Sequence, residues 1–246
     1  MDLPPRIEEQ VYCSMDGEQA ELYEKEMKKA QKTILGMGSN EELRKNSLMV
    51  LQTLMRLRQI CCHPALINPE NSEAESAKLN ALFYLLDQLR EEGHKVLVFS
   101  QFVKMLKFIE LELKNESIPS YLLEGGTKSD DRNQMVKDFQ GSSNGTKVFL
   151  ISLKAGGYGL NLTAADTVIH FDPWWNPSVE NQATDRVHRI GQSKIVNIYK
   201  LITTNTVEEK ILSLQNKKRN LINMAIGEEV SDMGGLNNDD LKFVLN

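Results

Sequence analysis

Arg186 and Arg189 stand three residues apart within the run Gln182 to Gln192, so a helix there would project both guanidiniums from one face. A guanidinium stays protonated and offers a planar fork of donors. Such a pair suits phosphate and can stabilise charge spreading over a transferring phosphoryl group. The plainer reading is a solvated basic face with Asp185 as ion-pair partner. Gly156, Gly157 and Gly159, ahead of Asn161, let backbone approach a ligand closely, and successive amides in such turns make anion-binding concavities. The same glycines also serve a tight structural turn. Gly157-x-Gly159 imitates a dinucleotide fingerprint, but Leu162 stands where the third glycine belongs. Trp174 and Trp175 lie between Pro173 and Pro177, a setting that favours base or sugar contact over a place in the core. Cys61-Cys62-His63 lacks the spacing that brackets one zinc and reads as packing, and His170 with Asp172 has no third partner, so no metal site is expected.

These residues need a scaffold. From about residue 77 onward, short apolar strands at 95–100, 121–123, 147–152, 167–171 and 195–202 alternate with helices at 77–92, 102–114, 129–139 and 178–189. That rhythm indicates a parallel sheet covered by helices on both faces. In open parallel sheets, ligands sit beyond the carboxyl ends of the strands. There the chain places Ser100-Gln101-Phe102, Gly125-Gly126-Thr127, the run from Lys154 to Gly159, and the run from Asp172 to Pro177. Residues 1–76 read as helical: Leu22, Tyr23, Met27, Ala30 and Ile34 make one amphipathic stripe, and Leu43, Leu51, Leu54, Met55 and Ile60 a second, stopped at His63-Pro64. Residues 68–76 are the linker, a long helix follows Asn205 or Thr206, and residues 227–246 form an acidic, loosely ordered tail with a short helix near its end.

Composition bounds the partners. The 246 residues are 41% hydrophobic and 26% charged with a formal net charge of −5, which excludes a disordered chain and a uniformly basic binder. Any nucleic-acid contact must be a local patch. Three cysteines make no disulfide framework, which points to a reducing, intracellular compartment. No apolar run approaches the roughly 18 residues of a membrane span.

The runs Val96 to Phe102, Ser152 to Ala165, His170 to Pro177 and Gln182 to Gln192 resemble, in order and spacing, motifs IV, V, Va and VI of superfamily 2 helicase-like ATPases. The similarity is greatest to the Swi/Snf family of DNA-translocating motors. Leu3 to Ile7 and Leu57 to Pro64 resemble that family's helical lead-in from its first lobe, and Thr206 to Ile211 the element that closes the second. The chain departs from the pattern at Gly125, usually Asp, and at Trp174, often acidic.

The resemblance implies a RecA-like α/β lobe at 77–226, preceded by a helical protrusion at 1–76. It implies that Arg186 and Arg189 reach the γ-phosphate, with Arg189 the principal finger and Gln182 supporting the interlobe site. Gly159 and Asn161 would lie near the ribose. Ser100, Gln101, Thr127, Ser152, Lys154, Gly157 and Trp175 would meet the DNA backbone or couple it to hydrolysis. The phosphate-cradling Gly-x-x-x-x-Gly-Lys-Ser/Thr loop and an Asp-Glu-x-His magnesium site do not occur in the chain. ATP and Mg2+ are therefore expected to be gripped mainly by a first RecA-like lobe of the same parent protein, leaving this chain inactive alone. The expected partners are that lobe, double-stranded DNA and a protein target, with no membrane. The setting would be the cytoplasm or nucleoid of a prokaryote, or a eukaryotic nucleus. The readings from other classes are an ATP-independent α/β module that binds nucleic acid or protein, and a nicotinamide-binding enzyme.

Overall fold

A computed structural model describes residues 3–36, 40–141, 145, 147–155, 159–224 and 243–245. The strands are β1 (Arg6–Cys13), β2 (Val96–Ser100), β3 (Ser120–Leu123), β4 (Val148–Ser152), β5 (Thr167–His170) and β6 (Val196–Thr203). The helices are α1 (Gly17–Leu35), α2 (Asn40–Lys45), α3 (Ser47–Cys62), α4 (Ala77–Glu91), α5 (Val103–Asn115), α6 (Ser129–Gln140), α7 (Pro177–Thr184) and α8 (Val207–Met224).

The strands form one sheet in the order β1-β6-β5-β2-β4-β3. All pairs from β6 across to β3 are parallel. Strands β2, β4 and β5 are buried along their whole length, as expected of strands covered on both faces. Leu97, Phe99, Phe149, Ile151 and Val168 turn to one face and pack with Phe139 of α6 and Ala183 of α7. Their alternates point to the other face, where α5 buries Met105, Leu106, Ile109 and Leu113.

The chain divides into two compact units. The first comprises residues 1–13, 78–174 and 178–202 and holds the sheet. The second comprises 14–77, 175–177 and 203–246. Its core is built from Tyr23, Ala30 and Ile34 of α1, Leu54, Leu57, Ile60 and Cys61 of α3, and Val207 and Leu214 of α8.

Two expectations are corrected. Residues 6–13 form a strand where a helical lead-in was expected: β1 is an edge strand, mostly exposed, so it carries no apolar alternation to announce it. The second helical stripe is two helices, split at Asn46, and it buries Val50 and Leu57 while Leu51 and Met55 stay exposed. The short helix expected near the end of the tail is seen at residues 243–245, with Val244 and Leu245 in the core of the second unit. Among the described residues, no helix is long and apolar enough to cross a membrane.

Candidate functional site

Strand register brings the candidate loops to one edge. Ser100 is level with Ser152, Phe99 with His170, and Leu123 with Ile151. The carboxyl ends of β5, β2, β4 and β3 thus lie side by side at the spacing of neighbouring strands, about 5 Å. Their loops leave the sheet together.

Asp172 organises two of these loops. Its carboxylate is fully buried, accepts the Ser100 hydroxyl proton in a short hydrogen bond, and accepts the Gln101 backbone N–H. Ser100 Oγ in turn accepts from Phe102 N–H at 3.0 Å, which fixes the turn into α5. Gln101 is left half-buried at the edge. Ser152 is likewise buried, and its Oγ accepts from Ala155 N–H at 3.2 Å. Both serines shape the loops from inside, while Lys154 is exposed on the turn after β4. Thr127 closes the Gly125-Gly126 turn: its Oγ1 accepts from Glu124 N–H at 3.1 Å, and Arg132 donates to its carbonyl at 3.4 Å. Asp172 has its own signal in the sequence, a carboxylate directly after a buried strand.

Gly159 holds φ +61, the left-handed region that glycine adopts without strain, and Asn161 beside it is exposed. Gly156 and Gly157 lie outside the described residues. Leu162 N–H donates to the Arg186 carbonyl at 3.0 Å, which joins the segment after the glycines to the arginine segment. Gln192 adds a second tie, donating to the carbonyls of Ala165 at 2.8 Å and Val187 at 3.3 Å.

The arginines are not on one continuous helix. α7 ends at Thr184, and residues 185–191 run in turns. Arg186 and Val187 donate three residues back, to Ala183 and Thr184, His188 four back to Thr184, and Arg189 only two back, to Val187, while the Arg186 carbonyl accepts from Leu162 N–H. Arg186 is half-buried and Arg189 exposed. Among the described residues neither forms an ion pair with Asp185 or any other carboxylate, and Arg186 Nε is buried with no hydrogen-bond partner. That leaves buried donor capacity of the kind a phosphate oxygen would satisfy. Gln182 is exposed on α7.

A buried charge network underlies α7. Glu180 Oε1 accepts from Trp174 N–H at 2.7 Å, and its Oε2 lies 3.0 Å from Lys200 Nζ on β6. Lys200 also meets Glu8 of β1 at 2.7 Å. Burial alone would raise the Glu180 carboxyl pKa, but His170, Lys200 and the Trp174 N–H hold it below the ordinary value. His170 Nε2 sits 3.1 Å from Thr184 Oγ1, and burial, with Lys200 adding to it, pushes the imidazole down to about 4. The imidazole is therefore neutral near neutral pH.

Trp174 packs against the core of the first unit. Trp175 is half-buried against the core of the second unit, with the buried Arg58 guanidinium 5.2 Å from its ring centroid. Part of the Trp175 surface is thus engaged in packing, contrary to a fully solvent-presented ring. Among the described residues, no group of three or more His, Cys, Asp or Glu could hold a metal ion. Cys61 and Cys62 are free and buried.

A parallel sheet that gathers four loops along one carboxyl edge, with an arginine segment tied to residues 162–165, is a RecA-like lobe of the helicase C-terminal class. Residues 77–191 match the helicase conserved C-terminal domain, and residues 1–66 match the SNF2-related domain. The chain is 34% identical to the Sulfolobus solfataricus SWI2/SNF2 ATPase C-terminal domain, with a TM-score of 0.75 and coverage of 97% of each chain. It is 36% identical to the ATPase core of the same organism solved in complex with dsDNA, at a TM-score of 0.78 over 98% of this chain and 50% of that one. It is 41% identical to a putative ATP-dependent helicase/translocase, YwqA of Bacillus subtilis, over 93% of this chain and 25% of that protein. The chain belongs to the Swi2/Snf2 family of helicase-like ATPases, matching its C-terminal lobe. It spans about a quarter of the length of the curated relatives it matches.

Proposed function

We propose that the chain is the second lobe of an ATP-driven double-stranded DNA translocase. Residues 1–76 lead in from a first lobe, 77–226 form the second, and 227–246 are its tail. The observation that carries this reading is the Leu162 to Arg186 tie, which sets an arginine with a buried, unpartnered Nε beside the loop of Gly159 and Asn161.

In this reading Arg186 and Arg189, with Gln182 in support, meet the phosphates of an ATP held mainly by the first lobe. Gly159 and Asn161 lie toward the ribose. Mg2+ is held by carboxylates of the first lobe, since the described residues here offer no such cluster. Its charge would neutralise phosphate oxygens when bound there. Gln101, Thr127, Lys154, Gly157 and Trp175 meet the DNA backbone, and Ser100 and Ser152 hold their loops. Closing the lobes on ATP and reopening them after hydrolysis shifts affinity for DNA between two states, and that difference moves the lobes along the duplex. The partners are the first lobe, duplex DNA and a protein target, in an intracellular setting.

The test is ATP turnover by this chain joined to its first lobe, with and without duplex DNA. Turnover stimulated by duplex DNA, with no turnover by the 246-residue chain alone, is expected. DNA binding by the joined protein without any ATP turnover would favour the ATP-independent module instead.

A further inference from the structure

Glu180 is 2% exposed and Lys200 3%, a degree of burial that charged side chains seldom reach unless paired. One Glu180 oxygen is committed to a backbone N–H, that of Trp174, and the other to Lys200. Lys200 is anchored in turn by Glu8 and by its place on β6, level with His170 of β5. The network therefore grips the loop after β5 at Trp174, the residue before Trp175. Glu180 is also carried by α7, the helix that bears Gln182 and runs into the arginine segment.

We infer that Glu180 is a positioning residue: its carboxylate, fixed by Lys200, pins Trp174 N–H and so sets how the Trp174-Trp175 loop is presented and ties that loop to the Gln182–Arg189 segment. The Trp174 bond follows from geometry alone. Its use in coupling DNA to turnover rests on the translocase reading.

Two double variants separate positioning from packing. Glu180→Gln with Lys200→Met removes both buried charges but keeps an amide oxygen able to accept from Trp174 N–H. Glu180→Met with Lys200→Met removes the acceptor as well. Trp174 and Trp175 are the only two tryptophans, so intrinsic fluorescence of the 246-residue chain reports this loop alone. The Gln/Met pair is expected to keep the native emission maximum and acrylamide quenching, and the Met/Met pair to lose them at unchanged far-ultraviolet circular dichroism. In the lobe-joined enzyme, the Met/Met pair is expected to raise the DNA concentration for half-maximal stimulation by about tenfold or more while KM for ATP stays put. Identical behaviour of the two pairs overturns the inference.

Should the Met/Met pair fail to fold, amide hydrogen exchange on the wild-type chain decides. Trp174 N–H is expected to be protected, and exchange at the rate of an open loop amide overturns the proposal. A wild-type joined enzyme without DNA stimulation would refute the translocase reading, and the fluorescence and exchange results would still judge the bond to Glu180.

Discussion

Leu162 N–H donates to the carbonyl of Arg186 at 3.0 Å, so the loop that follows Gly159 and the segment that carries both arginines are tied backbone to backbone. This bond takes a carbonyl that a continuing helix would have given to residue 190. Gln192, reaching the Val187 carbonyl at 3.3 Å, takes the next one. The segment after α7 thus leaves the helical pattern where these long-range bonds hold it against the loop that follows Gly159. The half-burial of Arg186 and the exposure of Arg189 follow from the turns that replace the helix.

The two arginines should fail differently. In the lobe-joined enzyme, Arg189→Ala is expected to lower kcat by about 10³-fold with little change in ATP or DNA binding, as for a group acting in the transition state. Its exposure predicts a stability change within about 0.5 kcal/mol. Arg186→Ala is expected to lower kcat as well and also to destabilise measurably, because it is half-buried. Lysine should rescue neither, since an ammonium keeps the charge and loses the fork. Stopped-time ATPase assays and urea unfolding check this; near-normal turnover of folded Arg189→Ala defeats the finger assignment.

Acid should destabilise the fold before its carboxylates titrate. Burial pushes His63 and His170 down from 6.5 to about 4, and His63 Nδ1 further needs its lone pair to accept from Ala65 N–H. Both folded values lie below the ordinary one, so between these limits the unfolded chain binds more protons and stability falls as pH falls. Each histidine should contribute about 1 kcal/mol per pH unit in mid-window. Glu26, Asp166 and Glu180 are held low, so their stabilisation is present above the ordinary carboxylate values and lost only at lower pH. Urea unfolding at pH 7 and pH 5 should show this slope, and His170→Gln should remove about half of it. A flat profile would place both imidazoles in wet surroundings.

Much of the sheet was legible because buried parallel strands read as near-continuous apolar runs, and 96–99 and 148–151 are such runs. The edge strand β1 was not, since only Cys13 is buried in it and Arg6, Glu8, Glu9 and Gln10 interrupt its apolar residues. The arginine segment misled for a different reason. Its i, i+3 spacing is helical, but long-range bonds from Leu162 and Gln192 outweigh local propensity. The residues that hold the site together, Asp172 and Glu180, act through backbone N–H groups of Gln101 and Trp174, and side chain to backbone pairing across loops leaves no periodicity to read.

Trp175 should carry a structural cost apart from any role on DNA. It packs in the core of the helical unit and lies under the Arg58 guanidinium. Trp175→Ala is expected to lower unfolding free energy by about 2 kcal/mol and Trp175→Phe by about 1 kcal/mol, given its half-burial. If the ring also meets DNA, Trp175→Phe should keep most DNA-stimulated turnover and Trp175→Ala should lose it even at temperatures where both variants are fully folded. Parallel loss of stability and turnover, with nothing left after correcting for the unfolded fraction, would reduce Trp175 to packing.

Salt should expose how small the DNA patch is. With a net charge of −5, the chain can attract duplex DNA only through a local set of donors, and of the residues on the carboxyl edge Lys154 is an exposed cation there. The isolated chain is therefore expected to bind duplex weakly, with affinity that falls as salt rises, because each cation that meets a phosphate releases a condensed counterion. Lys154→Ala should weaken binding to all sequences alike and reduce the slope of log affinity against log salt by about 1. Gln101→Ala should weaken binding with no change in slope, since an amide neutralises no phosphate. Lys28→Ala on α1, an exposed lysine near Glu24 in the helical unit, serves as the control and should change neither quantity. Fluorescence anisotropy of labelled duplex across a salt series measures all four proteins, and a slope unchanged by Lys154→Ala would remove that residue from the DNA contact.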